Sequence, residues 1–131
     1  MPFVNVMSRT QLFTPAVVTT DETRALFNVH KGDRVLWASA IVQVAASVGQ
    51  VGTMSLGDGD GVAGYIAAFT PTAASAGVGV PIVGAGTFLA FSGGKLYTVD
   101  DTIDVVFDYT SGGVINPRVR FTIALVREYA A

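Results

Sequence analysis

From Val35 to Gly57, and again from Gly61 to Gly94, the chain carries no Asp, Glu, Lys, Arg or His. Only the acidic turn Asp58-Gly59-Asp60 separates the two stretches. A small domain keeps much of its surface in water and normally spreads charge over it, so a chain patterned this way is expected to cover surface against copies of itself or a larger body.

Charged residues make up 14% of the 131 residues and hydrophobic ones 50%, against roughly 25% charged in ordinary soluble domains. Such a chain is too apolar for disorder, and its length suits one domain, 1–131, with a single core. The net charge is −2, and the eight basic residues are scattered. No basic patch supports nucleic-acid binding. There are no cysteines, which excludes disulfides, thiolate metal sites and thiol catalysis. The uncharged stretch is broken by Pro71, Pro81, Gly77, Gly79, Gly84 and Gly86, so a membrane helix is not expected. The N-terminus lacks the features of a signal peptide.

Helical periodicity is almost absent, and alternation with period two recurs. In Thr102–Thr110, Ile103, Val105, Phe107 and Tyr109 share one side, with Asp104 and Asp108 on the other. In Arg118–Glu128, Val119, Phe121, Ile123 and Leu125 share a side, with Arg118 and Arg120 opposite. The small-residue segment Ser111-Gly112-Gly113 between them predicts a β-hairpin that sets Asp108 near Arg118 or Arg120. Asp33–Ser47 is a second long strand whose rows, Leu36 to Val44 and Val35 to Gln43, are both largely apolar. Two readings fit: a central strand covered by its own chain, or a subunit contact through Trp37 and Ile41. Shorter strands are expected at Phe3–Met7, Thr23–Val29, Gly52–Leu56, Gly64–Thr70, Gly86–Phe91 and Lys95–Val99. Together they predict an all-β fold, an antiparallel β-sandwich or jelly-roll-like domain of about eight strands. Thr72–Gly86 reads as a loop or as an arm that orders on a neighbour. Residues 1–20 carry Phe3, Val4, Leu12 and Phe13, unusual on a free tail, and suggest an N-terminal docking arm. The interface candidates are therefore Phe3, Val4, Leu12, Phe13, Trp37 and Ile41.

No constellation for catalysis is visible. His30, the only histidine, sits in a turn before a strand, with no nucleophile elbow anywhere. Asp100-Asp101, Asp104 and Asp108 read as solvated or salt-bridged rather than as carboxylates facing across a cleft. Asp58-Gly59-Asp60-Gly61 resembles part of a calcium loop but lacks the remaining ligands, and its glycines suit a tight reversal with positive φ. No enzyme activity and no cofactor is expected.

The segment Thr53 to Ile66, with Leu56-Gly57-Asp58-Gly59-Asp60-Gly61 at its centre, resembles a pattern of small structural proteins in tailed bacteriophage virions. Phe27 to Leu36, Tyr97 to Val105 and Val119 to Val126 follow that pattern in the same order, so the resemblance spans about Leu26 to Val126. It is greatest to capsid decoration (cement) proteins. It implies a non-enzymatic protein on the outer capsid surface, a homo-oligomer, most often a trimer, that clamps the major capsid protein. Neither nucleic acid nor membrane is an expected partner. Two other readings are a tail, connector or fibre component, and a carbohydrate-binding module using Tyr65, Tyr97 and Trp37.

Overall fold

The computed structural model describes residues 3–17, 19–46, 51–73, 76–89, 94–112 and 115–129, with only the backbone described at 3–6, 51, 128 and 129. Nine strands are found among them: β1 (Phe3–Phe13), β2 (Glu22–Val29), β3 (Asp33–Val44), β4 (Val51–Asp58), β5 (Gly61–Phe69), β6 (Pro81–Val83), β7 (Lys95–Leu96), β8 (Asp101–Ser111) and β9 (Arg118–Tyr129). A single 3-10 turn covers Thr87–Leu89. The first sheet runs β1-β9-β3-β6, with β7 also on β3, and the second runs β2-β8-β4-β5. Every pairing between these strands is antiparallel.

The pairings β1–β9, β2–β8, β3–β7, β3–β6 and β4–β5 are nested, and β3–β9 and β4–β8 then join successive turns of the wrapped ribbon side by side. Phe3 lies opposite Tyr129 and Phe13 opposite Val119. Glu22 faces Phe107 and Val29 faces Asp101. Arg34 faces Leu96, Ile41 faces Pro81, and Asp58 faces Gly61. The chain is thus one long antiparallel ribbon, doubled at Gly59-Asp60 and wrapped so that its rungs alternate between two sheets. This is the jelly-roll arrangement, in which the expected sandwich is realised. The uncharged stretches are the two legs of the ribbon next to its tip.

One expected pairing is corrected. Arg118–Glu128 does not form a hairpin with Thr102–Thr110, because β8 lies in the second sheet between β2 and β4, while β9 lies in the first between β1 and β3. Asp108 is opposite Thr53, and Arg118 and Arg120 are opposite Val44 and Ile41. Alternation fixes which side of a strand is apolar. Two apolar rows can share water-free space either side by side in one sheet or face to face across a core, and periodicity does not distinguish these.

β3 shows why both of its rows look apolar. A bulge between Val35 and Trp37 and another between Val42 and Val44 shift the alternation. Val35, Ala38, Ala40 and Val42 are fully buried, whereas Leu36, Trp37 and Val44 are exposed. The core lies between the sheets, built from β3, Phe121, Ile123 and Leu125 of β9, Met54, Leu56, Ile66, Ile103 and Val105, and closed by Phe13, Phe27 and Phe107.

The Thr72–Gly86 segment is used within its own chain. The N–H of Ala46 donates to the Pro71 carbonyl, Gly79 N–H to Val42, and Gly84 N–H to Ala38, while β6 pairs with Ser39–Ile41. It covers the edge of β3 and is not an arm free to order on a neighbour; residues 74 and 75 lie outside the described residues. Gly86–Phe91 is likewise not a strand over its described part. It turns so that Phe88 packs edge-on against Tyr65, with ring centroids 5.1 Å apart. That contact requires Gly64, where a Cβ would collide with the Phe88 ring.

Candidate functional site

The outer face of the first sheet follows from the register. Phe121, Ile123 and Leu125 point inward, so Arg118, Arg120, Thr122, Ala124 and Val126 point out. Their neighbours on β3 are Val44, Ile41, Ser39, Trp37 and Arg34, in that order. β6 adds Pro81 and Val83, and β7 adds Leu96 beside Arg34. On β1, Ser8, Thr10 and Leu12 complete the rows. Trp37 is 40% exposed, Val83 61% and Leu96 45%. This face has an apolar centre around an indole, with three arginines set into it, and no Asp or Glu among the residues whose side chains are described.

The outer face of the second sheet is different. Thr102, Asp104, Val106 and Asp108 of β8 are flanked by Thr23, Ala25 and Asn28 on β2 and by Thr53 and Ser55 on β4. It carries carboxylates and hydroxyls, and among the described residues no Lys or Arg.

Between the sheets, at the end where β3 begins, lies a polar joint. Asp58 has a fully buried side chain. Lys95 Nζ donates to it at 2.5 Å and to Asp60 at 3.0 Å, Tyr97 Oη donates at 2.7 Å, and the Asp60 N–H donates at 2.9 Å. Tyr97 gives its only hydroxyl proton to Asp58, so the buried Tyr65 hydroxyl, 2.6 Å away, donates to Tyr97. Lys95 also sits 3.9 Å from the centre of the Phe88 ring. Burial alone would raise the Asp58 pKa, but the Lys95 ammonium, the Tyr97 hydroxyl and the Asp60 N–H outweigh it and hold the carboxyl below its ordinary value. Burial and then the bonds to Tyr65 and Asp58 push Tyr97 well above the usual tyrosine range. Nearby, Arg127 donates to both oxygens of Asp33 at 2.6 and 3.0 Å, which lowers the Asp33 pKa. Backbone bonds from Gly32 to Tyr97 and from Tyr97 to Asp33 join the two clusters.

Not all of the Asp58-Gly59-Asp60 turn faces water. Only its tip does so, and Asp58 points inward. The chain's own Lys95 ammonium sits between its carboxylates, and no group of three or more acidic or His residues is placed to hold a metal among the described residues. Gly59 and Gly61 do not have positive φ. The glycine that the turn requires is Gly57, where a Cβ would collide with the Gly61 carbonyl. Tyr65 and Tyr97 are 0% and 4% exposed, so they cannot stack on a sugar as a carbohydrate-binding module would need.

The interface candidates fall in different places. Trp37 and Ile41 lie together on the outer face of the first sheet, and Leu12, 52% exposed, lies two strands away in the row of Ile41. Phe13 does not belong with them. It is fully buried in the core, with the Arg24 guanidinium 4.9 Å from its ring centre. Phe3 and Val4 pair with Tyr129 and Glu128 in β1, and their side chains lie outside the described residues. The N-terminal segment expected as an arm therefore runs as an edge strand over Phe3–Phe13. His30 is an exposed turn residue 3.7 Å from Asp100. Lys95 and Tyr97 were not foreseen as partners of Asp58. A signal was present: Lys95 is the only cation between Arg34 and Arg118, and Asp58 and Asp60 are the only anions between Asp33 and Asp100.

No family model matches the chain, and no curated protein does. Two solved structures share its fold. A chain of the cyanophage Pam1 capsid asymmetric unit superposes with a TM-score of 0.65 at 18% identity, covering 96% of this chain and 86% of that one. A chain of the acidic stable capsid structure of Helicobacter pylori bacteriophage KHP30 gives 0.60 at 15% identity, with all of both chains covered. At these identities the likeness is one of fold, and that fold is the wrapped two-sheet ribbon described above.

Proposed function

We propose that the protein is a structural component of a tailed-phage virion that binds the outer coat lattice as a decoration protein and stabilises the head. The supporting observation is the whole-length likeness in fold to chains of two phage capsid structures. The arrangement of side chains agrees with a binding role. The interior titratable groups are consumed by each other, and the exposed chemistry is one apolar, arginine-bearing sheet face and one that carries carboxylates and hydroxyls. The mechanism is binding without turnover. Protomers associate, as a trimer in this reading, and contacts repeated over the lattice add up even where each is modest, at about 25 cal/mol per Å² of apolar area buried. Trp37, Ile41, Leu12 and the β1 segment with Phe3 and Val4 are the contacts proposed to serve in the particle.

The test is to add purified protein to shells assembled without it and to measure bound copies and the temperature at which shells rupture. Saturable binding at a fixed copy number per coat subunit, with a higher rupture temperature, is expected. Absence of binding, or binding confined to tails, would overturn the proposal.

A further inference from the structure

The two outer faces of the sandwich are sorted by charge, and the sorting runs against the chain's overall balance. The net charge is −2, yet the outer face of the first sheet holds Arg34, Arg118 and Arg120 and, among the residues whose side chains are described, no carboxylate, Glu128 following only at the far end of the β9 row opposite Val4, while that of the second holds Asp104 and Asp108 with no cation among such residues. Arg118 and Arg120 are exposed, and they flank the apolar centre made by Trp37, Ile41 and Val44. Tryptophan and arginine are the residues most enriched where protein interfaces carry their energy, and a planar guanidinium suits a carboxylate partner.

From this we infer that the outer face of the first sheet is the seat on the coat shell, and that the surface it fits carries carboxylates around an apolar depression for Trp37. The inference rests on the proposed function and adds an orientation: the Asp104–Asp108 face points away from the shell. A second copy is the poorer occupant. Two such faces meeting about a twofold axis would oppose arginines to arginines, a like-charge contact that costs affinity. Stacking it on the acidic face of the next copy would use opposite sides of one sandwich. Such a head-to-tail contact propagates as an open filament rather than closing into a small ring.

Three chains are compared with the parent for co-sedimentation with undecorated coat shells at about 50 and 300 mM NaCl, a range over which charge attraction between exposed groups is progressively screened. They are R118E/R120E, W37S and D104K/D108K. Thermal melting and solution mass are measured for each, so that a folding or assembly defect is seen separately. R118E/R120E is expected to lose at least about tenfold in affinity at low salt and most of its salt dependence. W37S should lose affinity at both salts, and D104K/D108K should bind like the parent. If R118E/R120E binds as the parent does, or if D104K/D108K is the chain that loses binding, the assignment is wrong. A drop in the solution mass of R118E/R120E gives the face to a second copy and also overturns it. A parent chain that binds no shells at either salt fails the proposed function itself, which is a separate result.

Discussion

The interior of the sandwich is closed in two unlike ways. Where β3 begins, a buried ion pair and tyrosines join the sheets, Asp58 with Lys95, Tyr97 and Tyr65, next to the Asp33–Arg127 pair that lies within the first sheet. Where β3 ends, aromatic rings do so. Phe121 is fully buried with Phe69 at a centroid distance of 6.3 Å, and Phe13 and Phe107 close the layer. The aromatic end gains its stability from apolar area that tolerates several arrangements of similar volume. The polar end gains little net energy from bringing charges out of water, but it accepts only one arrangement, because each buried group has its partner fixed. The comparison teaches a division of labour, in which packing holds the sheets together and the polar joint fixes how they are aligned.

That division is open to measurement. The largest effect is expected at the aromatic end: Phe121→Ala should cost about 3–5 kcal/mol in urea unfolding, and Phe121→Leu, closer in volume, much less. A small loss in Phe121→Ala would mean that this end carries less of the stability than its burial implies. Next is Lys95→Met, which strands the Asp58 carboxylate between Tyr97 and a backbone N–H. A cost of about 3 kcal/mol is expected, at the lower end for a broken buried pair since the Lys95 side chain is 17% exposed, and D58N/K95M should recover much of it. If K95M unfolds at the parent's urea midpoint, the polar end is not a joint at all.

The smallest effect at neutral pH is the dependence on pH itself. Asp33 and Asp58 lie below the ordinary 3.8 in the folded chain. Their contribution is therefore present above about pH 4 and is lost as pH falls through their folded values. Tyr97 and Tyr65 lie above 10.0, and Lys95 above 10.5. Their contributions are complete below about pH 10 and fall away as pH rises toward the folded values. Melting temperature against pH should thus form a plateau with losses on both sides. D58N/K95M should weaken both shoulders, with Asp33 keeping part of the acid side and the buried tyrosines part of the alkaline side, and Phe121→Leu should shift the whole curve down without changing its shape. A parent curve that keeps its plateau below pH 3 would contradict the acid side.

Much of the fold could be read from alternation. The strands and the sandwich class follow from residues such as Ile103, Val105 and Phe107, whose period-two burial is what the structure shows. The partner of each strand could not be read, as β8 and β9 demonstrate, because an apolar row does not say whether its neighbour lies beside it or across from it. Bulges were equally hidden: one extra residue at Leu36 turns an apparently uniform row into one that is partly inside and partly out. That Trp37 and Ile41 share the outer face of β3 could be read from their common row, since they alternate with the buried Ala38, Ala40 and Val42. Phe13 was grouped with a docking arm, whereas Phe3–Phe13 runs as a strand whose last residue enters the core.

The nested register has a consequence in time as well as in space. The rung at Asp58 and Gly61 closes a loop of almost no length, and each further rung encloses all those before it, out to Phe3 and Tyr129. Loop-closure entropy makes the inner rungs quick and the outer ones slow, so the order of closure should run from the tip of the ribbon to its open end. β1 then waits for β9 before it has any partner. The arginines of β9 and the indole of β3 stand side by side only once both strands have docked, so a chain still short of that point has no finished outer face on its first sheet.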